Sequence, residues 1–356
     1  MTGEALWGRL GEENLVDGDY PERGQPQSPW YVRAMLGVAG WIGALFLIGF
    51  VGAALAFVMT DGASAAIAGA ACCGVAYGLF RGFDGQVFVE QFALALSLAG
   101  QILLIVGLAQ LLKPQDPSFY FAVAATQAAL AVAVPNFLHR VLATSGAAVS
   151  LALAVHQLSL HGLAAPLLCA GLALVWLEPA RWAGSGRLWR PVGYGLVLAL
   201  LLVETFRLFG AETWFGRADE AAGWMNLHGP LIGRGLTAAA LVWVAIALSL
   251  REGFAPASRT VSSAAGASLL IGLLSLNAPG LASALLILLL GFAAGNRILM
   301  ALGVLSLFGF VGHFYYSLHA TLLEKAGMLA VTGLCLLAAH FVLRRGASGS
   351  EEPGHA

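Results

Sequence analysis

Runs of about twenty apolar residues recur along nearly the whole chain, broken by short polar stretches, and this spacing predicts a succession of bilayer-spanning α-helices. Twelve segments fit: 33–59, 63–80, 87–112, 118–136, 139–160, 162–178, 190–209, 230–250, 260–277, 279–295, 298–316 and 324–343. Thr60-Asp61-Gly62, His161-Gly162 and Asn277-Ala278-Pro279 leave so few turn residues that their neighbours must form antiparallel hairpins. The longest connections are 179–189, rich in Arg and Gly, and 210–229. Three parts follow: a cytoplasmic segment 1–32, a transmembrane helical bundle 33–343 and a disordered cytoplasmic tail 344–356. Leu6, Trp7, Leu10 and Leu15 fit a short amphipathic helix in the leading segment. The first 29 residues lack an early apolar core, so the first span is expected to direct its own insertion.

Composition agrees with this pattern. The chain is 59% hydrophobic and 10% charged, whereas a soluble globular chain carries about 25% charged residues. Lipid must therefore act as the solvent for much of it. The 45 glycines favour a closely packed bundle, because small residues let membrane helices approach. A net charge of −1 gives no case for nucleic acid. Cys72, Cys73, Cys169 and Cys335 all lie in apolar runs and form no CxxC pair, so neither a metal nor a cofactor is expected.

The arginines set the orientation. With the N-terminus inside, thirteen arginines fall on the cytoplasmic side and only Lys113, Arg207, Arg217, Arg234 and Lys325 on the other. The expected fold is an all-α, polytopic membrane protein of about twelve transmembrane helices, with both termini in the cytoplasm and the bundle in a bacterial inner membrane.

Several polar groups interrupt the apolar pattern. Gln86, Glu90, Ser97 and Gln101 share one face of the third span, at steps of four, seven and four residues. Such a stripe either lines a polar path or makes interhelical hydrogen bonds. Glu204 and Arg207, spaced i,i+3 in the seventh span, lie side by side; they read as a proton or substrate site, or as a self-neutralised pair near the outer edge. His156 sits deep in the fifth span with no second ligand at metal spacing. The 210–229 connection carries Trp214, Asp219, Glu220, Trp224, Met225 and His228, a surface for the outer leaflet or for a partner. Gly74/Gly78, Gly229/Gly233 and Gly291/Gly295 are candidate helix contacts. The densest polar group closes the chain's last third: His313, Tyr315, Tyr316, Glu324 and Lys325. It reads as a headgroup or substrate site, or as an aromatic belt with a Glu favourable at a helix start.

The same stretch carries a family likeness. Asn296-Arg297, then Phe314-Tyr315-Tyr316-Ser317-Leu318, then Thr321-Leu322-Leu323-Glu324-Lys325, together with Ser28-Pro29-Trp30-Tyr31-Val32-Arg33, Gly40-Trp41 and Phe46-Leu47 near the front, resemble the bacterial membrane family termed domain of unknown function 4401. Phe314 and Ala326 depart from the tyrosine and serine of that pattern. The resemblance implies a multi-spanning protein whose partners, beyond membrane lipids, are other multi-spanning and membrane-anchored proteins encoded nearby. It implies no reaction. The leading expectation is a subunit of a bacterial membrane assembly. A transporter or flippase for a small polar or lipid-linked substrate is the alternative, and an enzyme on a lipid-linked substrate lacks any catalytic motif.

Overall fold

The structure is a computed structural model that describes Trp7, Glu12 and residues 29–55, 61–83, 86–178, 184–210, 224–276 and 278–317. Among the described residues it is helical throughout, with no strand. The helices are α1 (Trp30–Leu55), α2 (Gly62–Gly82), α3 (Val87–Leu111), α4 (Pro117–Ala133), α5 (Phe137–Gln157), α6 (Ala164–Leu177), α7 (Gly186–Leu208), α8 (Trp224–Arg251), α9 (Arg259–Ser275), α10 (Leu281–Ala293) and α11 (Arg297–Ser317). They fall on the first eleven expected segments. The segment 324–343, most of 1–32 and the tail 344–356 lie outside the described residues.

Six of these helices are long and apolar enough to cross a membrane: α2, α3, α5, α7, the Leu227–Arg251 part of α8, and α11. The apolar helices α4, α6 and α10 are shorter. The two spans expected at 162–178 and 279–295 contract to 14 and 13 residues. At 1.5 Å per residue each is about 20 Å long, short of a hydrocarbon core of about 30 Å. The cause is local. Gly162 and Gly280 take left-handed φ values of 86° and 84°, and both helices begin only after these turns.

The chain divides into two compact units, α1–α3 with residues 134–136, and α4–α11. In the first, α2 and α3 pack along glycines. A methyl group on Gly69 would stand 2.7 Å from Gly100 O, and one on Gly107 would stand 2.6 Å from Ala66 N, so no side chain fits there. Hydrophobic driving force is absent between helices in lipid, and such close backbone approach replaces it. Asp61 caps α2 by accepting from the Ser64 N–H and hydroxyl, which holds its carboxyl below the usual range. The helix α1 docks on α3 through Gly40, where a methyl group would meet Phe88 O at 2.7 Å, and through a Trp41 Nε1–H bond to Gln91 Oε1 of 3.0 Å.

The second unit is built around Leu172, Leu200, Leu241, Ile287, Leu290 and Leu299, contributed by α6, α7, α8, α10 and α11. Within it α4 packs on α5, α8 on α9 and α10 on α11, and α5 also packs on α7. At one end Arg140 donates to Arg187 O at 2.9 Å, and Asn296 donates to the Tyr194 hydroxyl at 2.6 Å while its Oδ1 caps the Ile298 and Leu299 amides of α11. The other end holds the starts of α6, α8 and α10 and the end of α7.

Candidate functional site

That other end is where charge enters the apolar bundle. Glu204 lies four residues before the end of α7, yet it is only 2% exposed. An isolated carboxylate taken out of water costs several kcal/mol even after relaxation, so its oxygens need donors. Ser283, in the first turn of α10 and 0% exposed, donates to Oε1 at 2.7 Å. Arg207, one turn further along α7, donates to Oε2 at 3.4 Å. The shortness of α10 makes this possible. Asn296, just beyond its end, binds Tyr194 of α7, and Ser283, near its start, binds Glu204, so α10 spans only the depth between those two residues of α7.

A third charge faces the same space. Arg234 of α8 lines a small cavity with Glu204, Arg207, Thr237, Ser275, Pro279, Gly280, Ala282 and Ser283. The cavity holds about 10 Å³, room for about one water molecule. Arg234 Nη1 donates to Leu276 O, at the end of α9, at 2.8 Å. Its Nε is buried and has no hydrogen-bond partner among the described residues. Among the described residues no carboxylate lies within ion-pair distance of it, although Glu204 acts on it across the cavity.

Arg207 also borders a second, mostly apolar cavity of about 40 Å³, lined by Val149, Ala152, Leu153 and His156 of α5, Leu160, Gly162, Ala164 and Ala165 around the start of α6, and Val203 and Phe206 of α7. His156 packs edge-on against His161, with ring centroids 4.5 Å apart. The turn carrying His161 and Gly162 lies directly on the backbone of Gly229 and Gly233 of α8. One arginine thus stands between a charged cavity and an apolar one.

The residues singled out from the sequence are placed differently. Gln86 precedes α3 and is exposed, Glu90 is half-buried in its first turn, and Ser97 and Gln101 are 0% and 5% exposed. Cys73 donates its S–H to Ser97 O at 3.7 Å, and Gly100 between them meets Gly69. Ser97 therefore lies at the contact with α2, and Gln101 is buried one turn further along α3. His313 lies 5.5 Å, ring to ring, from Phe209 and borders an apolar groove of about 410 Å³ between α7 and α11. Tyr315 is half-buried and Tyr316 is 82% exposed. Glu324 and Lys325 lie outside the described residues, as do Trp214, Asp219 and Glu220. Trp224, Met225 and His228 are helical rather than part of a connection, because α8 starts at Trp224 and Trp224 stacks on His228. Gly74, Gly78 and Gly295 face open space, whereas Gly229, Gly233 and Gly291 make close helix contacts.

The sequence offered the Glu204–Arg207 pair by spacing alone. It gave no sign that Ser283, 79 residues away, or Arg234 would join it. Among the described residues no group of three His, Cys, Asp or Glu is placed to hold a metal.

Comparison with curated proteins and with solved structures finds no match. The family described as domain of unknown function (DUF4401) matches residues 29–346, nearly the whole chain, and the protein belongs to it.

Proposed function

We propose that this family member is a transporter or flippase of a bacterial inner membrane, moving a small polar or lipid-linked substrate through its second unit. The observation that carries the reading is Glu204, 2% exposed in a helix long and apolar enough to cross a membrane, with Ser283, Arg207 and Arg234 gathered on one cavity beside it. Ionisable groups inside membrane bundles are costly, and they mark substrate or ion paths by default. The reading can be tested without knowing the substrate. Ser283→Cys, in a chain whose four native cysteines are replaced by alanine, is treated in oriented vesicles with a membrane-impermeant methanethiosulfonate. A moving bundle exposes position 283 to each side in turn, so labelling is expected from both. Labelling from one side only, or from neither, sinks the proposal.

The first unit favours the other reading, a subunit of a membrane assembly. Its Ser97 and Gln101 are buried, Ser97 at the contact with α2, and α1 leaves Met35, Val38, Leu45 and Phe46 exposed for lipid or for another membrane protein. Recovery of the chain in mild detergent only together with other membrane proteins, combined with an unlabelled position 283, is the outcome that selects it. In either case we place both termini in the cytoplasm, supported by the gathering of Arg140, Arg187, Arg251, Arg259 and Arg297 at helix ends opposite Arg207 and Arg234. Alkaline phosphatase fused after Gly216 is then active and after Gly184 inactive; the opposite pattern inverts the topology.

A further inference from the structure

The charges on the Glu204 cavity do not balance among the described residues. One carboxylate faces two guanidinium groups, Arg207 and Arg234. Glu204 directs one oxygen to Ser283 and the other to Arg207, so its hydrogen bonds are with residues other than Arg234. Among the described residues Arg234 is held by a single neutral carbonyl, Leu276 O, with Nε unpartnered. A guanidinium that is half-buried and has no ion-pair partner among the described residues is costly. Its planar fork matches two oxygens of one oxyanion in a way an ammonium cannot.

We propose that the cavity between α7, α8 and α10 binds an oxyanion, a carboxylate or phosphate group, with Arg234 as its principal donor and Arg207 as its second positive charge. The proposal rests on reading this site as the one that handles substrate, and it names the substrate's polar end. Ser283 and Glu204 act as positioning residues. They hold Arg207 against α10 and keep one positive charge neutralised, so that the site draws a single negative group. The cavity takes about one water-sized group, so one oxygen of the oxyanion enters, and the rest of the ligand stays outside. Two sources share this chemistry: a soluble metabolite and the phosphodiester of an anionic lipid.

The test uses the full chain in nanodiscs of phosphatidylcholine at constant ionic strength, and reads the thermal unfolding midpoint. One arm adds acetate or inorganic phosphate to the solution. The other replaces part of the lipid with phosphatidylglycerol. A saturable rise of the midpoint is expected in one arm, since a ligand that binds only the folded state stabilises it. A rise with the soluble anions identifies a soluble ligand, and a rise with phosphatidylglycerol alone identifies a headgroup. Arg234→Gln is expected to weaken the half-saturation point at least tenfold, whereas Arg259→Gln, exposed at the start of α9, leaves it unchanged. Where Arg234→Gln does not fold, Arg234→Lys keeps the charge without the fork and is expected to weaken it at least fivefold. No rise in either arm, or the same half-saturation point in the Arg234 variant, overturns the proposal. Labelling at position 283 needs no ligand, so the two proposals fail separately. Two-sided labelling without an oxyanion effect removes only the ligand class. Saturable binding with one-sided labelling removes only the transport.

Discussion

Where α2 meets α3, the contact is made of what is missing: at Gly69, Gly100 and Gly107 there is no side chain, and the backbones touch. Where α7 meets α10, the contact is made of charge, with Glu204 accepting from Ser283 and Arg207. Both are helix contacts within an apolar protein, but they answer different problems. Glycine contacts maximise dispersion and leave nothing to be solvated. A buried carboxylate must be solvated by neighbours placed in advance, and removing one of them leaves an uncompensated charge. Close glycine packing is what a rigid scaffold needs. A costly charged cluster beside a cavity is what a ligand needs, and stability alone gives no reason to keep it.

The contrast predicts an order of effects. Glu204→Ala, which strands Arg207 and Ser283, is expected to cost about 3–5 kcal/mol, the largest change, read as a lowered unfolding midpoint or denaturant midpoint in detergent. Gly69→Ala forces α2 off α3 and is expected to cost about 1–3 kcal/mol by over-packing. Gly78→Ala, on the same helix but facing open space, is expected to be neutral or to gain up to about 1 kcal/mol from helix propensity. Should Gly69→Ala outweigh Glu204→Ala, the charged cluster is better solvated than its burial implies, and the contrast between the units collapses. Equal behaviour of the two glycine variants would show that α2 and α3 are not in close contact.

Much of the fold was legible along the chain. Eleven helices lie on the apolar runs, and the turns at Asp61, Gly162 and Pro279 fall where the short polar breaks placed them. Spacing also found Glu204 and Arg207 as neighbours, since i,i+3 positions meet on any helix. Spacing gave no sign that the start of α10 covers Glu204, near the end of its span. The polar stripe was equally legible as a stripe. Ser97 meets α2 because glycines at 69 and 100 let that helix approach, which hydropathy does not register. The polar cluster at 313–325 divides among the described residues, with His313 at the α7 groove and Tyr316 exposed, and its acidic and basic members lie outside them.

The sequence by itself determined that lipid is the solvent, that the chain forms successive apolar helices, and where the chain turns between them. These are local properties of composition and period, and each can be read within a window of about twenty residues. Tertiary structure alone decided that Arg234 turns toward the Glu204 cavity and that Ser283 reaches a carboxylate 79 positions earlier. Those outcomes depend on which helices become neighbours. In lipid that choice is made by packing and paired polar groups rather than by hydrophobicity, and hydrophobicity is the one signal this chain repeats everywhere.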